Sequence, residues 1–327
     1  MSPVRGTACA RAGLLGNPSD QYEGRAIALS LRDFEAAVTI EPADRFEIIP
    51  AADDETSAPD ARAMVERLGR DGCYGGVRLL QATLLRFSGL SARLGSLPRD
   101  DPKLRFRMRY QSSVPRQVGL SGSSAIVIAG LRALGEWFEE PLEADLLART
   151  ALAAEVDDLG IQAGPMDRVI QAHGGLLFMD FARSRWTRLD PARLPALFVA
   201  WDPDPGRESG ATHSGVRTRW LRGDPDVRDA MLRFPTLADE GVECLERGDV
   251  DRFCELVDQN FDMRASIYRL PPGDLGLVRV GREQGAAVKL CGSGGSVIGV
   301  LRDEGQRTRL ERAYADAGYR VIEPRRP

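Results

Sequence analysis

Between Pro115 and Ala125 the chain reads Pro115-Arg116-Gln117-Val118-Gly119-Leu120-Ser121-Gly122-Ser123-Ser124-Ala125, and from Ala125 it runs on as AIVIAGLRALGEWF. A glycine- and serine-rich loop that opens directly into an apolar helix constrains the chain more than any other feature. Glycines there let successive amides turn inward around an anion, and the helix N-terminus adds unpaired N–H groups and about half a positive charge. Two readings of the serines stay open: caps for the helix, or hydroxyls that reach a metal ion. Other phosphate and nucleophile devices are excluded. Gly-Lys occurs nowhere, so there is no Walker-type loop, and neither histidine precedes Arg-Asp as in a protein-kinase catalytic loop. No Gly-x-Ser-x-Gly elbow exists, and the six-residue dinucleotide fingerprint is incomplete.

A chain of 327 residues is long for one ordinary domain, so two compact domains are expected. With 43% apolar and 28% charged residues the composition is globular. A net charge of −4 with no basic run excludes a general nucleic-acid binder. Only Lys103 and Lys289 are lysines, against 42 arginines, a bias so general that a single arginine carries little meaning. His173 and His213 are the two histidines, too few for a zinc site built on several imidazoles. Five cysteines in an odd count without a Cys-x-x-Cys pair read as reduced thiols of a cytoplasmic protein. Neither a signal peptide nor a membrane span is expected.

Hydrophobic periodicity predicts mixed α and β elements. AIALSL and AAVTIEP (26–42) read as two strands separated by a polar turn at LRDF, and 49–60 as an exposed loop. ARAMVERLGR and GGVRLLQATLLRFSGL read as helices, LRFRMRYQSSVP as a strand with a solvated Arg face, and EADLLARTALAAEVDDLG as a helix. GGLLFMDF and PALFVAWDP read as strands. Beyond a boundary near 191–195, helices are expected at 212–222, 226–247 and 249–268, then strands AAVKLCGS and SVIGVL, a helix at 305–317 and a strand YRVIE.

Two further segments accompany the loop. Near the N-terminus stands Arg11-Ala-Gly13-Leu-Leu-Gly16-Asn17-Pro-Ser19-Asp20; near the C-terminus stands Lys289-Leu-Cys291-Gly292-Ser293-Gly294-Gly295-Ser296, between two strand-like runs. In this order and spacing the three segments resemble the GHMP small-molecule kinases, nearly end to end. Within that superfamily the strings ARAGLLGNPSD, YGGVRLL, PRQVGLSGSSAIV, LGIQAGPMDRVIQ, GGLLFMDF and HSGVRTRW are most similar to the glucuronokinases. The loop form Gly-Leu-Ser-Gly-Ser-Ser-Ala is one residue longer than the Gly-Leu-Gly-Ser-Ser-Ala common elsewhere.

The resemblance implies a two-domain α+β fold. Residues 1–193 would form an N-terminal ATP-binding domain like the second domain of ribosomal protein S5, and 194–327 a ferredoxin-like α/β sandwich. It implies transfer of the ATP γ-phosphoryl group to a hydroxyl with Mg²⁺. The acceptor would be a small-molecule sugar, D-glucuronate at its anomeric hydroxyl first. Galactose, galacturonate, a heptose or a natural-product intermediate are alternative acceptors, and a non-catalytic nucleotide or sugar sensor is the reading from another class.

Roles carry over residue by residue. Pro115, Gly119, Leu120, Ser121, Gly122, Ser123, Ser124 and Ala125 would wrap the phosphates, with Ser123 the preferred Mg²⁺ ligand and Ser124 next. Glu155 would complete the metal site, as hard oxygen ligands suit Mg²⁺; as an alternative it is one charge of AAEVDD on a solvated helix face, beside Asp157 and Asp158. Asp167 matches the catalytic aspartate that orients the attacking hydroxyl and takes its proton; as an alternative it caps the next helix. Arg116 or Arg168 would assist. Asp20 and Asn17 align with acceptor-binding positions, Arg11 would support their loop, and Tyr22 is a plausible sugar contact with Gln21. Asn17 stands where galactokinase-type members carry glutamate, which would lower repulsion of an anionic acceptor. A uronate carboxylate would need a bidentate cation, from Arg25, Arg168 or Arg217. Tyr74 is an adenine neighbour or a core aromatic. Gly292, Ser293 and Gly294 would close over the phosphate loop from the second domain. Lys289 beside them is either part of that closure or a solvated strand end. His213 is expected in a structural hydrogen bond, His173 in the turn before GGLLFMDF, and the cysteines as small buried hydrophobes.

Overall fold

The computed structural model describes residues 2–51, 54, 75–204 and 211–327. Tyr74, the predicted helix ARAMVERLGR and most of the 49–60 loop lie outside the described residues, and so does the His213 side chain. In chain order the elements are β1 (Val4–Leu15), β2 (Arg25–Pro42), β3 (Glu47–Ile49), α1 (Gly76–Ser88), α2 (Ala92–Ser96), β4 (Phe106–Ser112), α3 (Gly122–Trp137), α4 (Ala144–Ala153), α5 (Met166–His173), β5 (Leu176–Asp180) and β6 (Arg185–Arg188). There follow β7 (Leu197–Trp201), α6 (Ala211–Leu221), α7 (Pro225–Arg247), α8 (Val250–Ile267), α9 (Pro272–Glu283), β8 (Ala287–Leu290), β9 (Ser296–Val300), α10 (Glu304–Asp316) and β10 (Arg320–Ile322).

The chain divides into two compact units. The first comprises 1–10, 34–114 and 121–173; the second comprises 11–33, 115–120 and 174–327. The two long strands β1 and β2, which pair with each other, each contribute one half to each unit.

In the first unit the C-terminal half of β2 pairs antiparallel with β4 (Val38 opposite Tyr110, Ile40 opposite Met108), and β3 adds to β4 in parallel. Their alternation buries Phe106, Met108 and Tyr110 and turns Arg107 and Arg109 toward Glu41 and Glu47. The Arg face is thus lined with ion pairs on the surface. Helix α3 is apolar nearly all round and almost wholly buried, as a central helix must be. Gly130 lets α1 approach at Thr83 and Leu80, and Gly6 of β1 lies so near Ala129 and Ala133 that no side chain fits. Phe87 packs on Phe138, and Phe106 on Trp137.

In the second unit the N-terminal half of β2 pairs with β5, and β5 with β6. A separate antiparallel sheet runs β10-β7-β9-β8. Phe198, Val288, Leu290, Val297, Leu277 and Tyr314 form its core with α8, α9 and α10. Among the described residues no helix is long and apolar enough to cross a membrane.

Two corrections concern elements. LRDF is not a turn: β2 is one strand of 18 residues, because Arg32 and Asp33 sit at its surface with no glycine or proline to break the ladder. Residues 272–283, which periodicity did not assign, form α9, started by Pro271 and Pro272.

Candidate active site

In the first unit Ser121 holds a left-handed backbone (φ 62°) and launches α3. Its hydroxyl donates to Asp167 Oδ2. Its carbonyl accepts from Gln171 Nε2 at 3.0 Å, and the same amide donates to Cys9 O at 3.0 Å, which ties the loop to β1. Asp167 lies in the first turn of α5. The carbonyl of Pro165 accepts from Arg168 N and Val169 N, the first backbone bonds of that helix.

Glu155 sits in a π-helical turn, Ala154–Asp158, that continues α4. Such widened turns displace a side chain from the regular register and occur often at functional sites. Here the turn sends Glu155 inward, where it is 0% exposed, while Asp157 and Asp158 face Arg86 at the surface (3.2 and 2.6 Å). The solvated-face reading of Glu155 is therefore wrong. Its Oε1 accepts from Ser123 Oγ at 2.8 Å and Ser124 Oγ at 3.4 Å; its Oε2 accepts from Arg168 Nε at 2.7 Å and from Nη2. Arg168 is 3% exposed, and its Nη1 also lies 3.6 Å from Asp167 Oδ2. One guanidinium thus bridges the two carboxylates. The pairing of a serine hydroxyl with a carboxylate oxygen fits Mg²⁺, which takes one or two protein oxygens and completes its shell with water and phosphate. No cluster of three or more His, Cys, Asp or Glu suited to a metal exists among the described residues, as this sparse mode of binding allows.

In the second unit the glycine run after β8 lies against the first half of the loop. Gly119 (φ 68°) faces Gly294, and a Cβ on it would come within 2.4 Å of Gly294 O. A Cβ on Gly292 would meet Gly119 O at 2.4 Å and the Arg11 guanidinium at 2.6 Å. Arg11 Nη1 donates to Gly119 O at 2.6 Å, and Ser296 Oγ to Val118 O at 2.6 Å. Asp274, buried on α9, accepts from Gly295 N at 2.7 Å, and burial raises its pKa. These glycines are required by close backbone approach.

Lys289 is not a solvated strand end. It is 2% exposed, and its Nζ donates to Asn17 Oδ1 (2.7 Å), Gly13 O (2.8 Å) and Leu290 O (2.9 Å). Burial pushes its pKa down to about 7, and drives the Cys291 thiol up to about 11. Asn260, which sequence reasoning missed, completes the frame: Gly16 N donates to its Oδ1, and its Nδ2 donates to Asn17 O.

The N-terminal motif ends in the turn Ser19–Tyr22, where Asp20 is 8% exposed. The Tyr22 ring packs on Trp220 at 4.7 Å, within the field of Arg217, which is exposed. Arg25 makes a bidentate pair with Asp239 (2.7 and 2.6 Å). Arg116 is exposed, and Pro115 and Gly122 are partly so. Leu120, Ser124 and Ala125 are buried, and Ser293 carries a carbonyl 3.4 Å from Arg264 Nη2. His173 ends α5 and pairs with Asp145 at 2.8 Å.

Family models match on both sides of the chain: the GHMP kinases N terminal domain over 83–175 and the GHMP kinases C terminal domain over 242–320. The chain is 38% identical over 332 residues to an Arabidopsis thaliana protein named probable glucuronokinase 2, covering 96% of this chain and 89% of that one. It is 37% identical to Arabidopsis thaliana glucuronokinase 1, covering 95% and 88%. In three dimensions it resembles Lactococcus lactis galactokinase, solved with galactose, with a TM-score of 0.73 at 12% identity over 99% of this chain and 93% of that one.

Proposed function

The chain belongs to the GHMP kinases, phosphotransferases that take their phosphoryl group from ATP, and from that premise we propose that it phosphorylates the anomeric hydroxyl of D-glucuronate. The observation that carries the chemistry is the Glu155–Arg168–Asp167 chain of contacts at the mouth of α3, with Ser121 and Ser123 bound to its two carboxylates. The observation that favours the acceptor is the likeness to the two plant proteins along nearly the whole chain.

Asp167 takes the proton of the attacking hydroxyl as the new O–P bond forms and the bond from the γ-phosphorus to its bridging oxygen breaks, releasing ADP. Arg168 contacts both carboxylates and holds them in place. The amides at the start of α3 and along 119–124 receive the phosphate oxygens and stabilise charge where it builds. Ser123 and Glu155 would hold Mg²⁺, which supplies charge neutralisation and orientation of the phosphates. In this reading Asp20 binds sugar hydroxyls, and Arg11, Lys289 and Asn260 keep the N-terminal motif rigid. The division at 193/194 into an ATP-binding and a C-terminal domain has one family model on each side. Four described cysteines are free, in keeping with a cytoplasmic protein.

The test is ADP release with Mg-ATP across uronic acids, neutral sugars, homoserine and mevalonate, with ³¹P NMR on the product. An anomeric phosphate of glucuronate is the expected result. Turnover confined to another acceptor keeps the phosphotransfer and rejects glucuronate.

A further inference from the structure

A uronate acceptor brings a carboxylate, and the arginines that the sequence offers for it are otherwise engaged or open to water. Arg168 is bound to Glu155, Arg25 is bidentate on Asp239, and Arg217 is exposed. In the second unit a different arginine is buried and makes no ion pair among the described residues. Arg264, in the last turn of α8, is 2% exposed. Its Nε is buried with no hydrogen-bond partner, and its Nη2 makes one long bond, 3.4 Å, to Ser293 O. Its guanidinium carbon lies 5.0 Å over the Tyr268 ring. No carboxylate comes within ion-pair distance of it among the described residues.

We infer that Arg264 is the residue that binds the carboxylate of the acceptor and so determines its preference for a sugar acid, an assignment that rests on the acceptor reading above. A guanidinium held away from water without a carboxylate is costly, and a planar anion that occupies Nε and Nη2 together removes that cost. Arg264 shares its field with Arg11 and Lys289, both buried, against the two carboxylates Asp20 and Asp274. Asp274 is already committed to Gly295 N. Burial also disfavours the charge on Arg264, a strain that an incoming carboxylate relieves. The position is suitable too. Asp20 and Tyr22 of the acceptor motif act electrostatically on Tyr268, the ring that backs the guanidinium. One cluster therefore presents a carboxylate for sugar hydroxyls and a guanidinium for a sugar carboxylate. Lys in its place would offer a point charge without the fork.

The test compares kcat/KM for D-glucuronate and for D-glucuronamide, which has the same shape without the charge, in the wild-type protein and in Arg264→Gln and Arg264→Lys. Wild type should prefer the acid by about a hundredfold, the worth of a charge-assisted hydrogen-bond pair. Arg264→Gln should bring the ratio near one by losing the acid and keeping the amide, with KM for ATP unchanged; Arg264→Lys should fall between. An unchanged ratio in either variant overturns the assignment. So does a rise in KM for ATP with the ratio preserved, which would put the guanidinium on a phosphate. A ratio that collapses in Arg217→Gln or Arg25→Gln instead also overturns it, whether or not the Arg264 variants fold. Absence of glucuronate turnover in the wild type rejects the acceptor reading and this assignment together.

Discussion

Asp167 accepts from the Ser121 hydroxyl and lies 3.6 Å from the Arg168 guanidinium. Asp167→Asn keeps the size and loses the base, so kcat should fall by about a thousandfold while ATP still binds; single-turnover kinetics and nucleotide titration measure the two separately. Arg168 has a second role that the linear chain conceals. Glu155 is 0% exposed, and Arg168→Met would strand its charge, at a cost of about 3–5 kcal/mol in urea unfolding. The double variant with Glu155→Gln should recover most of that loss. Motif strings pointed to Asp167, Glu155 and the serines. They did not point to Gln171, Asn260 or Arg264, whose meaning comes from which carbonyl, ring or gap each one faces.

At the scale of elements, the two glycine runs act as one packed unit. Gly119→Ala combines a left-handed φ with a backbone oxygen 2.4 Å from the new Cβ, and should cost about 2 kcal/mol or more. Gly122→Ala meets only Val114 at 3.5 Å at the start of a helix, and should change stability by less than about 0.5 kcal/mol. Thermal melts of the two variants side by side would expose a wrong account of the loop if they moved together. Most helices were legible because their apolar stripes repeat at helical spacing. Helix α9 was not: Gly273, Gly276 and Gly281 thin its pattern, and they are tolerated because Tyr319 and Tyr314 press closely on the last two. The length of β2 was misjudged because exposed polar residues within a strand look like a turn when the pairing partners are unknown.

For the whole molecule, the buried Lys289 links stability to pH. Its pKa is about 7 when folded and 10.5 in the free side chain, so between these values the unfolded chain binds more protons. Stability should therefore rise with pH across that window, with a slope approaching about 1.4 kcal/mol per pH unit, and the lysine should contribute no slope below pH 6. Subtracting melts of Lys289→Met from those of the wild type isolates the effect; a flat difference from pH 7 to 10 would refute it. The sequence by itself determined the mixed α and β content, the glycine- and serine-rich loop and the order of the three motifs. These are local properties: glycine conformation, helix termini and residue type are written in neighbouring positions. Only the tertiary structure decided which charges are buried and what each one meets. Lys289 reaches Asn17 across 272 positions of chain, and Arg264 approaches Ser293 across 29. Desolvation and pairing depend on that distant company, and an arginine among 42 carries no mark of it.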